Sequence, residues 1–150
     1  MLGRSRMSLP QTQGLWPLFP FFFLGMWLVV SASISRDGWR SFAERYPANN
    51  RPTGHAHVSP RTRFAGFYAR YGNAVRVILT EDGVYFSVLF LFRPFHPPFL
   101  VPWDSVKRVE KKRVFLFDRY HLDIEDAAGE IHVTLPLSVE HDLFRYKKAA

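Results

Sequence analysis

Cysteine is missing from all 150 residues, which excludes a disulfide framework, a thiolate nucleophile and any Cys-ligated zinc or iron–sulfur site. Acidic residues are missing from the N-terminal quarter. All thirteen Asp and Glu lie at or after Asp37, so the first 36 residues are purely basic or neutral. The nine glycines are scattered singly and build no phosphate-cradling loop. There is no Gly-x-Ser-x-Gly elbow, no Ser-x-x-Lys and no carboxylate pair in an acid/base setting, so the chain reads as non-enzymatic. What is present is 47% hydrophobic, 17% aromatic and 22% charged: too apolar for a disordered chain and, at 150 residues, too short for a two-domain enzyme.

The longest feature is Leu15 to Ile34, LWPLFPFFFLGMWLVVSASI, which carries no charge over twenty residues. At about 1.5 Å per residue it can cross a hydrocarbon core of roughly 30 Å. Pro17 and Pro20 fall in its first turns, where a missing N–H costs least, and Trp16 suits the interface. The segment therefore reads as a single transmembrane helix (15–34) after a basic tail (1–14). The competing reading is a cleaved signal peptide, with Arg4 and Arg6 as its basic region and Ser31-Ala32-Ser33 as the cleavage site; a secreted or periplasmic β-domain would then be released near Ser33. Arg36, Arg40, Arg45 and Arg51 follow the span, and this excess over Arg4 and Arg6 favours a cytoplasmic C-terminal domain at the cell membrane.

After the span, Trp39, Phe42, Ala43 and Tyr46 recur at helical spacing between a capping Asp37 and Pro47. This predicts a short amphipathic helix over 37–46, lying either on the lipid headgroups or on the following domain. Residues 47–62 hold three prolines and no apolar period, and read as a linker. From 63 to 150 the period is that of strands. Val75, Val77 and Leu79 turn at Glu81-Asp82-Gly83 into Val84, Phe86 and Val88; strands over about Phe99–Trp103 and Val106–Phe117 follow. Tyr120, Leu122 and Ile124 then turn at Asp126–Gly129 into Ile131, Val133 and Leu135. A four-residue loop there sets Asp123 opposite His132 as a cross-strand pair, and Ser138 to Lys148 closes the chain as a helix. The expected fold class is α+β: an N-terminal transmembrane helix, a small antiparallel β-sheet or open barrel of six strands, and a short C-terminal helix.

Two segments are candidates for binding lipid or a partner. The first is Lys107, Arg108, Lys111, Lys112 and Arg113, with only Glu110 against them, which can meet anionic headgroups or can simply be a solvated, aggregation-resistant edge. The second is the loop Phe92–Phe99, in which Phe95 and His96 can enter an interface or clamp a peptide, unless its prolines serve only to stiffen a crossover. His55-Ala56-His57 lacks a third ligand, so no metal is expected, nor any cofactor. The net charge of +7 is spread along the chain without a nucleic-acid motif. The expected partners are the lipid bilayer and another membrane protein, with no nucleic acid and no small-molecule substrate identified.

Gly38, Trp39, Tyr46 and Pro47, then Tyr71, Asn73, Asp82, Gly83, Tyr85, His96, Pro97, Pro98, Pro102 and Trp103, follow a recurring order. In that order the chain resembles an uncharacterised family of small bacterial single-pass membrane proteins over about residues 15–125, with Asp82 for Glu, Val84 for Leu and Phe42 for Leu. EDGVYFS and LVPWDSV also resemble bacterial pleckstrin-homology and GRAM-like domains. The first resemblance implies no activity. The second implies a pleckstrin-homology-like β-domain that binds or scaffolds, often on membranes. The reading that results is a membrane-anchored, non-catalytic binding or scaffolding module at the bilayer surface.

Overall fold

A computed structural model describes residues 14–36, 38–65 and 70–147. The chain divides into two packed units, Met1–Val30 and Ser31–Ala150. Within the first, Pro17 sits in a 3₁₀ turn over Trp16–Leu18, and α1 (Phe19–Arg36) starts directly after it. Trp16–Arg36 spans 21 residues with mean hydropathy 1.9 and is long and apolar enough to cross a membrane. The basic tail and its Arg4 and Arg6 lie outside the described residues, apart from Gly14.

The second unit begins with the last turns of α1 and with α2 (Trp39–Arg45). The expected cap Asp37 is outside the described residues. Gly38 stands at the N-cap with φ 91°, and a Cβ there would lie 2.6 Å from the Phe64 side chain, so only glycine allows this approach. Among the described residues nine strands follow: β1 (His57–Ser59), β2 (Arg61–Phe64), β3 (Arg70–Tyr71), β4 (Val75–Leu79), β5 (Gly83–Val88), β6 (Phe99–Pro102), β7 (Val106–Val114), β8 (Phe117–Asp126) and β9 (Gly129–Pro136). A 3₁₀ turn leads into α3 (Glu140–Lys147). The strands form two antiparallel sheets, ordered β1-β4-β5-β6 and β3-β2-β9-β8-β7, and neither closes into a barrel.

The six expected strands appear as β4 to β9, and the expectation is corrected by β1, β2 and β3, which precede them. The stretch 47–62 is not all linker, because β1 lies in it and β2 starts in it. Pro60 interrupts one extended run so that β1 pairs with β4 while β2 pairs with β9. Proline offers no ladder N–H, and the chain changes sheet where it stands. The expected strand Val106–Phe117 ends earlier, at Val114, because the chain turns at Phe115-Leu116, and the next strand, expected at Tyr120, already begins at Phe117.

The core lies between the sheets and is built from their period-2 inner positions, including Val77, Phe86, Leu122 and Val133, all at most 1% exposed. Trp39 and Phe42 of α2 are 0% exposed and pack on Phe99, with ring centroids 4.9 and 5.8 Å away. The aromatic face of α2 is therefore docked into the domain, which removes the reading in which it lies on headgroups. In the last hairpin, Asp123 pairs with His132 as the loop length required, and His132 Nδ1 is 2.7 Å from Asp123 Oδ1.

Candidate functional site

Among the described residues strand β7 pairs only with β8, as an edge of its sheet. Alternation along it divides the basic segment between two faces. Lys111 stands opposite the buried Tyr120 and shares its inner face with Arg113, whereas Lys112 stands opposite Arg119 on the outer face. Each cation also has a local partner. Arg108 and Lys112 reach the Glu110 carboxylate at 3.5 and 2.7 Å, and Arg113 reaches Asp118 at 3.0 Å. Lys111 reaches Glu140 at 3.5 Å, and Lys107 Nζ donates to the Asp104 carbonyl at 3.0 Å. The single cationic patch read from the sequence is thus corrected to two faces with interleaved acids.

The electrostatics follow from these contacts. The hydrogen bond from Lys112 holds the Glu110 carboxyl below its ordinary range, and the one from Arg113 does the same for Asp118. Burial pushes the Tyr120 phenol up to about 12, helped by its hydrogen bond to Glu140. Lys111, Tyr120 and Glu140 line an apolar groove with Val109, Leu143 and Phe144 of about 660 Å³.

His96 is only 2% exposed and does not serve as a surface contact, which corrects the reading of the Phe92–Phe99 loop. Its Nδ1–H donates to the Phe92 carbonyl at 3.0 Å, which leaves Nε2 to accept from the Tyr71 hydroxyl at 3.0 Å. Burial lowers its pKa. Phe95 is half-buried and lines a cleft of about 450 Å³ with Ser35, Arg36, Arg40 and Pro97. The exposed apolar side chains of this segment lie upstream, at Phe90 and Leu91.

The residues that sequence reasoning missed are at the β7–β8 turn. Phe115 and Leu116 are 94% and 89% exposed, and Phe117 is 66% exposed. No Gly, Asn or Pro marks this turn, so the apolar run looks like strand interior. The available signal was that Val114 to Phe117 are four apolar residues in succession, which no half-buried strand can place on one face.

A second missed grouping joins residues far apart in the chain. His57, 3% exposed on β1, has Nδ1 3.3 Å from Ser138 Oγ and Nε2 3.0 Å from Asp142 Oδ2. Burial acts to raise the Asp142 pKa, but the hydrogen bonds and charges of His57 and His141 together outweigh it and the net shift is downward. No family model, curated protein or solved structure matches the chain. Neither cleft described above is lined by Ser138, and the three side chains act together as a polar clamp between β1 and α3. His55 touches the His57 ring edge-on at 4.9 Å, and among the described residues no three His, Cys, Asp or Glu side chains converge as metal ligands would.

Proposed function

We propose that the protein is a membrane-anchored, non-catalytic binding or scaffolding module whose β-domain is held at the bilayer surface. The observation that carries this reading is the 21-residue apolar segment Trp16–Arg36, followed without a break by a domain with its own core. The last turn of that helix also packs as part of the domain. Ile34 rests against the core, its carbonyl oxygen lies 3.2 Å from the Tyr71 hydroxyl oxygen, and Ser35 Oγ donates to the Phe95 carbonyl. Cleavage near Ser33 would put a charged new terminus beside these contacts, which favours the uncleaved anchor over the released domain.

Two open-edged antiparallel sheets, followed by a helix, support the pleckstrin-homology-like reading. The arginines at 36, 40, 45 and 51 support a cytoplasmic domain. The test is expression of the full chain in a bacterial host, carbonate extraction of the membranes and protease treatment of intact spheroplasts. The expected result is a retained, protected 17.5 kDa chain. A retained but digested chain reverses the topology. A shortened soluble product overturns the anchor.

A further inference from the structure

The β7–β8 hairpin ends in four successive apolar residues, of which Phe115 and Leu116 are almost bare. Phe115 and Leu116 are the central residues of a two-residue turn closed by Val114↔Phe117. Phe115 adopts φ 57°, a left-handed conformation for which such turns usually use Gly or Asn. A Phe is locally unfavourable there, and at 94% exposure it contributes nothing to the core. Neither turn geometry nor packing accounts for it, and a strained residue kept against local preference points to a task outside the fold.

The residues behind the tip suggest what that task is. Lys111, Lys112 and Arg113 precede the apolar run and Arg119 follows it, with Asp118 the one acid among them. The ion pairs of Lys111, Lys112 and Arg113 are solvent-exposed, of the kind that contributes little and can be exchanged for another anion. Apolar side chains at the apex and cations within a few residues of it follow the order met on passing from acyl chains to anionic headgroups. A protein interface tends to exclude Lys from its centre, and Lys along edge β7 disfavours strand pairing with a second copy.

We propose that the β7–β8 hairpin inserts Phe115 and Leu116 into the headgroup–acyl boundary of an anionic lipid bilayer, with Lys111, Lys112, Arg113 and Arg119 on the lipid phosphates. This rests on the reading of the domain as a bilayer-surface module and adds to it a second, charge-dependent attachment.

Because the chain has no cysteine, Leu116→Cys gives a unique site for an environment-sensitive fluorophore. The labelled full chain is placed in phosphatidylcholine nanodiscs, in discs containing phosphatidylglycerol, and in phosphatidylcholine discs mixed with phosphatidylglycerol vesicles. The expected result is blue-shifted emission, quenched by acyl-chain spin labels, wherever anionic lipid is present in the disc or the vesicle. The signal should fall several-fold in phosphatidylcholine alone, in high salt, and when the four cations are changed to Ser. Adding Phe115→Gly should weaken quenching several-fold while leaving Tm equal or higher, which separates insertion from folding.

Emission that stays water-like in every arm overturns the proposal. So does burial of the label in lipid-free detergent that grows with protein concentration, because a second copy then covers the tip. A chain that does not co-purify with discs overturns the anchor reading alone, since binding to the added vesicles still reports on the hairpin.

Discussion

His96 shows how one buried side chain makes stability depend on pH. Its neutral ring bridges Tyr71 and the Phe92 carbonyl, and burial lowers its pKa from the ordinary 6.5. The unfolded chain therefore takes up the proton first as pH falls. The stabilisation is full above about 6.5 and is lost as pH drops from there through the folded-state pKa. Urea midpoints of the full chain should fall between about pH 7 and about pH 5, and His96→Gln should flatten part of that slope. The pKa of His121 is lowered by burial as well, so it adds in the same direction, and a His121 variant apportions the remainder.

Among the elements, α2 and β5 carry the sharpest expectations. Trp39 is 0% exposed and its Nε1–H donates to the Pro97 carbonyl at 2.9 Å, fastening α2 to the segment before β6. Trp39→Ala should cost about 3–5 kcal/mol in urea unfolding, combining lost burial with the cavity left behind. An interfacial α2 would show almost no loss. Gly83 opens β5 opposite Pro102, and a Cβ there would lie 2.0 Å from the Val101 carbonyl oxygen. Backbone cannot yield as a flexible side chain does, so Gly83→Ala should destabilise by about 1–3 kcal/mol, seen as a lower thermal midpoint. The register of β8 on β9 was readable from the sequence, because a short loop between alternating runs leaves one pairing that buries Leu122 and Val133 together. The β7–β8 turn was not readable, since Phe115 and Leu116 carry no turn chemistry.

Across the whole molecule, the anchor and the domain should fail independently. Met26, near the middle of Trp16–Arg36, is 49% exposed. Met26→Arg adds roughly 2.5–3.5 kcal/mol to the cost of spanning a bilayer and changes no residue of the domain core. The expected outcome is a shift of the chain from the carbonate-resistant pellet to the supernatant, with the thermal midpoint of the β-domain unchanged. A pellet fraction equal to that of the unaltered chain would mean that the helix is not what holds the protein at the membrane.

The sequence by itself determined the apolar helix, the strand pairs around residues 81–82 and 127–128, and the Asp123–His132 alignment. These depend on periodicity and loop length, which are properties of neighbouring residues. Tertiary structure alone decided that His96 and the aromatic face of α2 are buried, that Pro60 is where the chain changes sheet, that β7 divides its cations between two faces, and that Phe115 stands uncovered. A side chain's burial depends on which distant segments cover it, and an apolar residue has the same local pattern whether it is covered or left bare.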